Sequence, residues 1–110
     1  MGTRTEIPPG TLYMLILKTL ARLGPMHGYG IAEYIQQISD EVLTVEEGSL
    51  YPALQRMLLK GWVAAEWGFS DNNRKARFYR LTPRGRKQLD AEIAEFEKVT
   101  RAITRVIQPA

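Results

Sequence analysis

Arg74, Lys75 and Arg77 put three permanent cations within four residues, and Gln55, Arg56 and Lys60 form a second polar and basic group upstream. Side chains of these types grip a polyanion. Guanidinium forks and ammonium groups neutralise phosphate, and a glutamine amide both donates and accepts hydrogen bonds. Ser49, Tyr51 and Tyr79 add hydroxyls able to donate to phosphate oxygens. Covalent and metal chemistry, by contrast, lacks its parts. The chain has no cysteine, hence no disulfide framework, thiol nucleophile or Cys-ligated metal. Its single histidine, His27, sits in a Gly/Pro-rich turn as a structural residue and leaves no second candidate for a triad or a metal cage. No phosphate loop and no usefully spaced carboxylate pair is present, so an enzyme, a catalytic residue, a metal or a cofactor is not expected.

The whole chain agrees with that chemistry once its charge is divided. With 110 residues it is one domain's worth, and its 45% hydrophobic and 25% charged content is ordinary for a globular protein. The net charge is only +3, but residues 1–50 carry three basic and six acidic side chains, residues 51–90 carry nine and three, and residues 91–110 carry three of each. A basic segment beside an acidic one suggests one polyanion-facing surface. The longest apolar run, Leu12 to Leu17, falls far short of the ~20 residues of a membrane span, so a soluble cytoplasmic protein is expected.

The elements that must carry these groups follow from periodicity and breakers. Pro8-Pro9-Gly10 precedes Thr11, an expected N-cap, and a first helix that ends at Gly24-Pro25. In that helix Leu12, Leu15, Ile16, Leu20 and Leu23 form one stripe, while Tyr13, Met14 and Leu17 lie on the opposite side and call for a second cover, such as a partner subunit. Gly28-Tyr29-Gly30 leads into a second helix with Ile31, Ile35 and Ile38 inward, closed by Ser39-Asp40-Glu41. After a short strand within Val42–Val45, a third helix runs to Lys60 with Leu50, Leu54 and Met57 buried; Pro52 means it begins near Gly48–Ser49 or is kinked. Trp62–Trp67 and Lys75–Leu81 flank the turn cluster Ser70-Asp71-Asn72-Asn73 as a hairpin, with both tryptophans expected to pack within it. Thr82 then caps a long last helix whose stripe Leu89, Ile93, Phe96, Thr100, Ile103, Ile107 has heptad spacing.

Three helices followed by a hairpin is the order of a winged helix-turn-helix, so the fold class is mainly α with a small β-hairpin. Residues 1–81 would be the winged-helix DNA-binding domain and residues 82–110 a dimerisation helix, packed as one compact unit. In such a fold the third helix enters the major groove and the hairpin, or wing, follows the backbone. Arg80, Arg84, Arg86 and Lys87 would extend the basic patch or cap the last helix.

Three segments sharpen this. Gly24-Pro25-Met26-His27-Gly28-Tyr29-Gly30-Ile31, Val45-Glu46-Glu47-Gly48-Ser49-Leu50-Tyr51-Pro52-Ala53-Leu54 and Phe78-Tyr79-Arg80-Leu81-Thr82 together resemble PadR-like transcriptional regulators, over a span from about Pro9 to the C-terminus. The length resembles that of the small subfamily with a single C-terminal helix. The resemblance implies a homodimeric bacterial repressor that binds a promoter palindrome in double-stranded DNA and is released by a small-molecule effector. It implies that Ser49, Tyr51, Gln55 and Arg56 read DNA, that Arg74, Lys75, Arg77 and Tyr79 make wing contacts, and that Tyr29 reaches a phosphate. The dimer interface would comprise Tyr13, Leu17, Leu89, Ile93, Phe96, Thr100, Ile103 and Ile107. A pore between subunits, lined by Met14, Ile93 and Phe96, would take an apolar or aromatic effector. Two departures stand out: Ala76 interrupts the basic run of the wing, and Leu58 and Leu59 occupy positions where charged residues are common. The leucines favour the alternative, a winged-helix adapter for another protein without specific DNA binding.

Overall fold

The computed structural model describes residues 5–8 and 10–109, so Pro9 of the breaker cluster lies outside the described residues. Among the described residues there are four helices, α1 (Leu12–Leu23), α2 (Gly28–Ile38), α3 (Glu47–Leu59) and α4 (Pro83–Ile107), and five strands, β1 (Thr5–Glu6), β2 (Met26–His27), β3 (Leu43–Thr44), β4 (Val63–Phe69) and β5 (Lys75–Leu81), the last two consecutive. β2, β5 and β4 form an antiparallel sheet in that order, and β1 pairs with β3 in parallel. This is the winged-helix order with a long helix after it.

The core gathers where α1, α2 and α3 meet the base of the β4–β5 hairpin. Ile16, Leu17, Leu20, Ile31, Leu50, Leu54 and Met57 are fully enclosed there, with Val63, Tyr79 and Leu89 at its edge. The stripes expected for α2 and α3 are the buried ones, except that Ile38 at the end of α2 is 62% exposed. α1 corrects the sequence reading. Met14 and Leu17, assigned to a face turned towards a partner, are buried in the protomer, while Leu23 of the supposed inner stripe is exposed. The reason is topological: α1 packs against α4 as well as against α2, α3 and β5, so the chain supplies much of its own second cover.

Local chemistry sets the element ends. Thr11 occupies the N-cap position of α1 but makes no capping bond; its backbone is near-helical, and its hydroxyl donates instead to the Pro8 carbonyl at 2.7 Å. His27 caps α2, its Nδ1 accepting the Gly30 N–H at 3.1 Å. α3 begins at Glu47, so Pro52 falls in its second turn. The proline therefore withholds one N–H from the Gly48 carbonyl, and Gly48 is exposed where water can replace the bond. At the hairpin tip Asn73 donates its N–H to Ser70 O and takes a left-handed φ of 58°, as three-residue hairpin loops require before the strand resumes.

Thr82 is the junction between hairpin and α4. Its Oγ1 accepts the Gly85 N–H at 3.0 Å and approaches the carbonyls of Gly61 at 2.6 Å and Trp62 at 3.0 Å. Gly85 is buried against Trp62, so closely that a Cβ there would lie 2.0 Å from the Trp62 carbonyl oxygen. Leu89 completes the contact, Ile93 is half-buried, and every side chain from Ala94 to Pro109 is exposed.

Candidate nucleic-acid interface

α3 offers its polar side to solvent because Leu50, Ala53, Leu54 and Met57 hold the other side in the core. Helical spacing puts Gln55, with Pro52 and Leu59, in the middle of the outward face, and Ser49, Arg56 and Lys60 on one flank. Tyr51 stands on the opposite flank, against the start of α2; a Cβ on Gly28 would lie 2.8 Å from its ring, so only glycine allows this approach. Arg56 leans towards α1, where its Nε donates to the Tyr13 hydroxyl and its guanidinium lies 5.7 Å from the ring centre. Glu46 and Glu47 are exposed at the N-terminus of α3. They complement the helix dipole and discourage a phosphate from that end.

The hairpin stands beside α3. Strand alternation and register put Val63, Ala65, Trp67 and Phe69 on one face with Leu81, Tyr79, Arg77 and Lys75, whereas Ala64, Glu66, Gly68, Ala76, Phe78 and Arg80 share the other. The first face is buried at its base and open at its tip. Arg74, Lys75 and Arg77 are all exposed, and among the described residues none of them pairs with a carboxylate. Arg84 departs from the basic surface to donate weakly, at 3.5 Å, to the Lys60 carbonyl at the end of α3. Arg80, Arg86 and Lys87 remain exposed.

Tyr79 and Tyr29 fall in different environments. The Tyr79 side chain is only 5% exposed, and burial pushes its phenol above the ordinary value of about 10; Arg77 opposes the shift and Tyr51 reinforces it. That burial leaves little of the side chain for a phosphate. Tyr29, 67% exposed in the first turn of α2, stacks with His27 at 6.5 Å between ring centres. Backbone N–H groups at a helix start favour a phosphate, and of those in this turn Gly30's is already taken by His27.

Of the residues expected at a dimer interface, Leu17 and Leu89 are buried in the protomer and are not open to a partner, and Tyr13 and Ile93 are half-buried. Phe96, Thr100, Ile103 and Ile107 are exposed along α4, and exposed Val99 and Val106 widen their stripe. The three residues expected to line an effector pore are similarly divided: Met14 is in the core, Ile93 packs at its edge, and Phe96 is open. Leu58 packs against the core, whereas Leu59 is 88% exposed.

Trp62 packs edge-to-face on Tyr13, as expected for a hairpin packing residue, but Trp67 does not pack in this way. At 63% exposure, next to Phe69 at 69%, it stands beyond the helices that cover the base of the sheet. The signal for this was present in the alternation Val63, Ala65, Trp67, Phe69, which continues one face past the length the helices can cover.

Comparison with known proteins adds independent findings. The model of the PadR-like transcriptional regulator family matches residues 16–91. Uncharacterized protein X of Lysinibacillus sphaericus is 27% identical over 100 residues, which cover 91% of each chain. A transcriptional regulator from Clostridium thermocellum is 27% identical, superposes with a TM-score of 0.82, and is matched over 90% of this chain and 95% of its own. Bacillus subtilis PadR, solved in complex with operator DNA, shares the fold at 23% identity and a TM-score of 0.65, over 76% of this chain and 47% of its own.

Proposed function

Since the chain belongs to the PadR-like transcriptional regulator family, we propose that it is a homodimeric repressor that binds a promoter palindrome through α3 and the wing and is released by a small-molecule effector. The observation that carries the reading is the exposure, on an α3 and a hairpin that pack together, of the outward face of α3 around Gln55 and of the unpaired wing cations Arg74, Lys75 and Arg77. A helix of that size fits the major groove of duplex DNA, and a basic hairpin beside it fits the neighbouring backbone. Gln55 and Ser49 read base edges. Arg56 and Tyr51 hold the flanks, and Tyr29 and the Tyr79 hydroxyl take phosphates. No helix among the described residues is long and apolar enough to cross a membrane.

The exposed stripe Phe96, Val99, Ile103, Ile107 supports the homodimer, because a lone helix with such a face gains most by burying it against a copy of itself. Two-fold symmetry then demands two half-sites about one helical turn, 34–36 Å, apart. Phe96 on that stripe, with half-buried Ile93 and the underlying Met14, is the place for an apolar or aromatic effector.

The test is fluorescence anisotropy of a labelled duplex carrying the gene's own upstream region, alongside sedimentation of the protein. Saturable binding by a dimer, falling steeply as salt rises, is the expected result. Absence of binding at about 50 mM salt refutes the proposal. The bare Leu59 side chain at the end of α3 favours a second reading, an adapter that docks another protein on this helix. Failure on DNA with capture of one abundant partner would establish the adapter instead.

A further inference from the structure

Trp67 and Phe69 project from a two-stranded hairpin in a protein with no shortage of core to receive them, yet they are 63% and 69% exposed. They share one face of the wing with two cations, since Trp67 lies directly across from Arg77 and Phe69 across from Lys75. The Lys75 ammonium sits 5.1 Å from the centre of the Trp67 ring, a cation–π contact that steadies the indole at the tip. The nearest acids in sequence are turned elsewhere: Glu66 belongs to the opposite face and Asp71 to the turn. On that opposite face the Phe78 ring lies over Gly68, 3.0 Å from where a Cβ would stand, while Glu66 and Arg80 are exposed there. The Phe78 ring also meets His27 edge-on, at 5.4 Å between ring centres. The wing therefore has one side of mixed charge, partly covered by Phe78, and one open side that is aromatic and cationic.

We infer that this open side packs on duplex DNA, with Trp67 and Phe69 against the sugar edges of the minor groove and Lys75 and Arg77 on the flanking phosphates. The inference rests on the DNA-binding reading above and adds to it a non-ionic contact. Charge selects the occupant: an apolar face rimmed only by cations suits a polyanion whose sugars are apolar, not a second copy of the same basic face. Size selects the mode. Paired strands are about 4.8 Å apart before their side chains are added, and the minor groove is only about 6 Å wide, so the hairpin must engage it through side chains. Large apolar side chains are the ones that enter or press on that groove, at the cost of some unstacking. The contact favours sequences that widen or kink easily, which makes the wing a reader of deformability rather than of base edges.

Salt separates this contact from the ionic ones. Cations release counterions and set the slope of log affinity against log salt; aromatic packing shifts the line without tilting it. With a mixed-sequence DNA duplex of about three helical turns, Trp67→Ala is expected to bind roughly tenfold more weakly at every salt concentration, with the slope unchanged. Acrylamide quenching of Trp67, isolated by Trp62→Phe or by difference against Trp67→Phe, is expected to be efficient in the free protein and suppressed by the duplex. On a duplex of the same length with an A·T-rich centre, netropsin, which fills the minor groove there, is expected to restore it. Wild-type affinity in Trp67→Ala, or a Trp67 still quenched in a complex that does form, overturns this inference and leaves the DNA-binding reading standing. A Trp67 already shielded without DNA assigns the face to a second copy and also overturns it. A wild-type protein that binds no duplex overturns both.

Discussion

Gly85 is a residue whose replacement tests the junction between wing and α4. Alanine usually stabilises a helix interior relative to glycine, by up to about 1 kcal/mol. At Gly85 the new Cβ would lie 2.0 Å from the Trp62 carbonyl oxygen and 2.9 Å from Leu81 Cδ1. The first obstacle is backbone, so no side-chain rotation relieves it. Restoring ordinary contact means moving Gly85 off Trp62, the residue before β4, by roughly 1 Å or more, which pulls it from the Thr82 hydroxyl that caps the helix. Overpacking of this kind costs about 1–3 kcal/mol and removal of the cap about 1 kcal/mol more, so Gly85→Ala is expected to lose about 2–4 kcal/mol in all. In a chain of this size that lowers Tm by roughly 10–15 °C. Gly48 provides the contrast, since a Cβ there meets nothing within 4 Å and φ is not left-handed. Gly48→Ala should hold or raise the melting point. Circular dichroism melts at one fixed protein concentration, with urea titrations in parallel, measure both. A Gly85→Ala protein that melts with or above the wild type, while Gly48→Ala does not fall, would refute the clash at this junction.

Replacing Arg74, Lys75 and Arg77 together by alanine should weaken binding to all duplexes alike and flatten the salt slope by about 0.9 for each phosphate that is no longer neutralised, read from anisotropy titrations over a salt series. Gln55→Ala should instead alter preference among operator variants, by about 1–3 kcal/mol at one base pair, and a selection of bound sequences would show it. Ile103→Glu places a charge in the middle of the exposed α4 stripe and should yield monomers in sedimentation, with the helical content of the protomer retained because Ile103 touches none of its core. Burial raises the Tyr79 pKa, so the folded state holds that proton more firmly than the unfolded one. The stability this provides is complete below about pH 10 and is lost as pH rises through the folded value, so the alkaline limb of a pH–stability curve should be less steep in Tyr79→Phe.

How much was legible in the sequence depended on whether the determinant was local. Gly28 and Thr82 announced their helix starts, and Leu50, Leu54 and Met57 announced the inward side of α3, because caps and 3–4 spacing act within one element. Thr11 misled, since an N-cap needs an extended backbone as well as a hydroxyl, and the Pro8 carbonyl competed for that hydroxyl. The inner and outer sides of α1 were beyond local reading. A helix apolar all round does not say which neighbours come from its own chain, and α4 returns from far along the sequence to pack on α1. For the site, residue types were readable and directions were not. Arg56 is drawn sideways by Tyr13, and Trp67 stays in the open because the helices run out before the strand does.

The bond between Thr82 and the carbonyls of Gly61 and Trp62 leaves no hinge between the hairpin and the long helix. α4 spans about 37 Å by its 25 residues, and only its first few turns are anchored in the core. It is a cantilever clamped at one end, so a tilt of a few degrees at the clamp becomes a travel of about 2–3 Å at the free end. In a dimer joined along the free part, such a tilt changes the distance between the two α3 helices, and DNA of fixed pitch does not stretch to follow. Control over binding would then need no motion inside the winged helix itself, only a wedge of small-molecule size beside Phe96 that resets the angle.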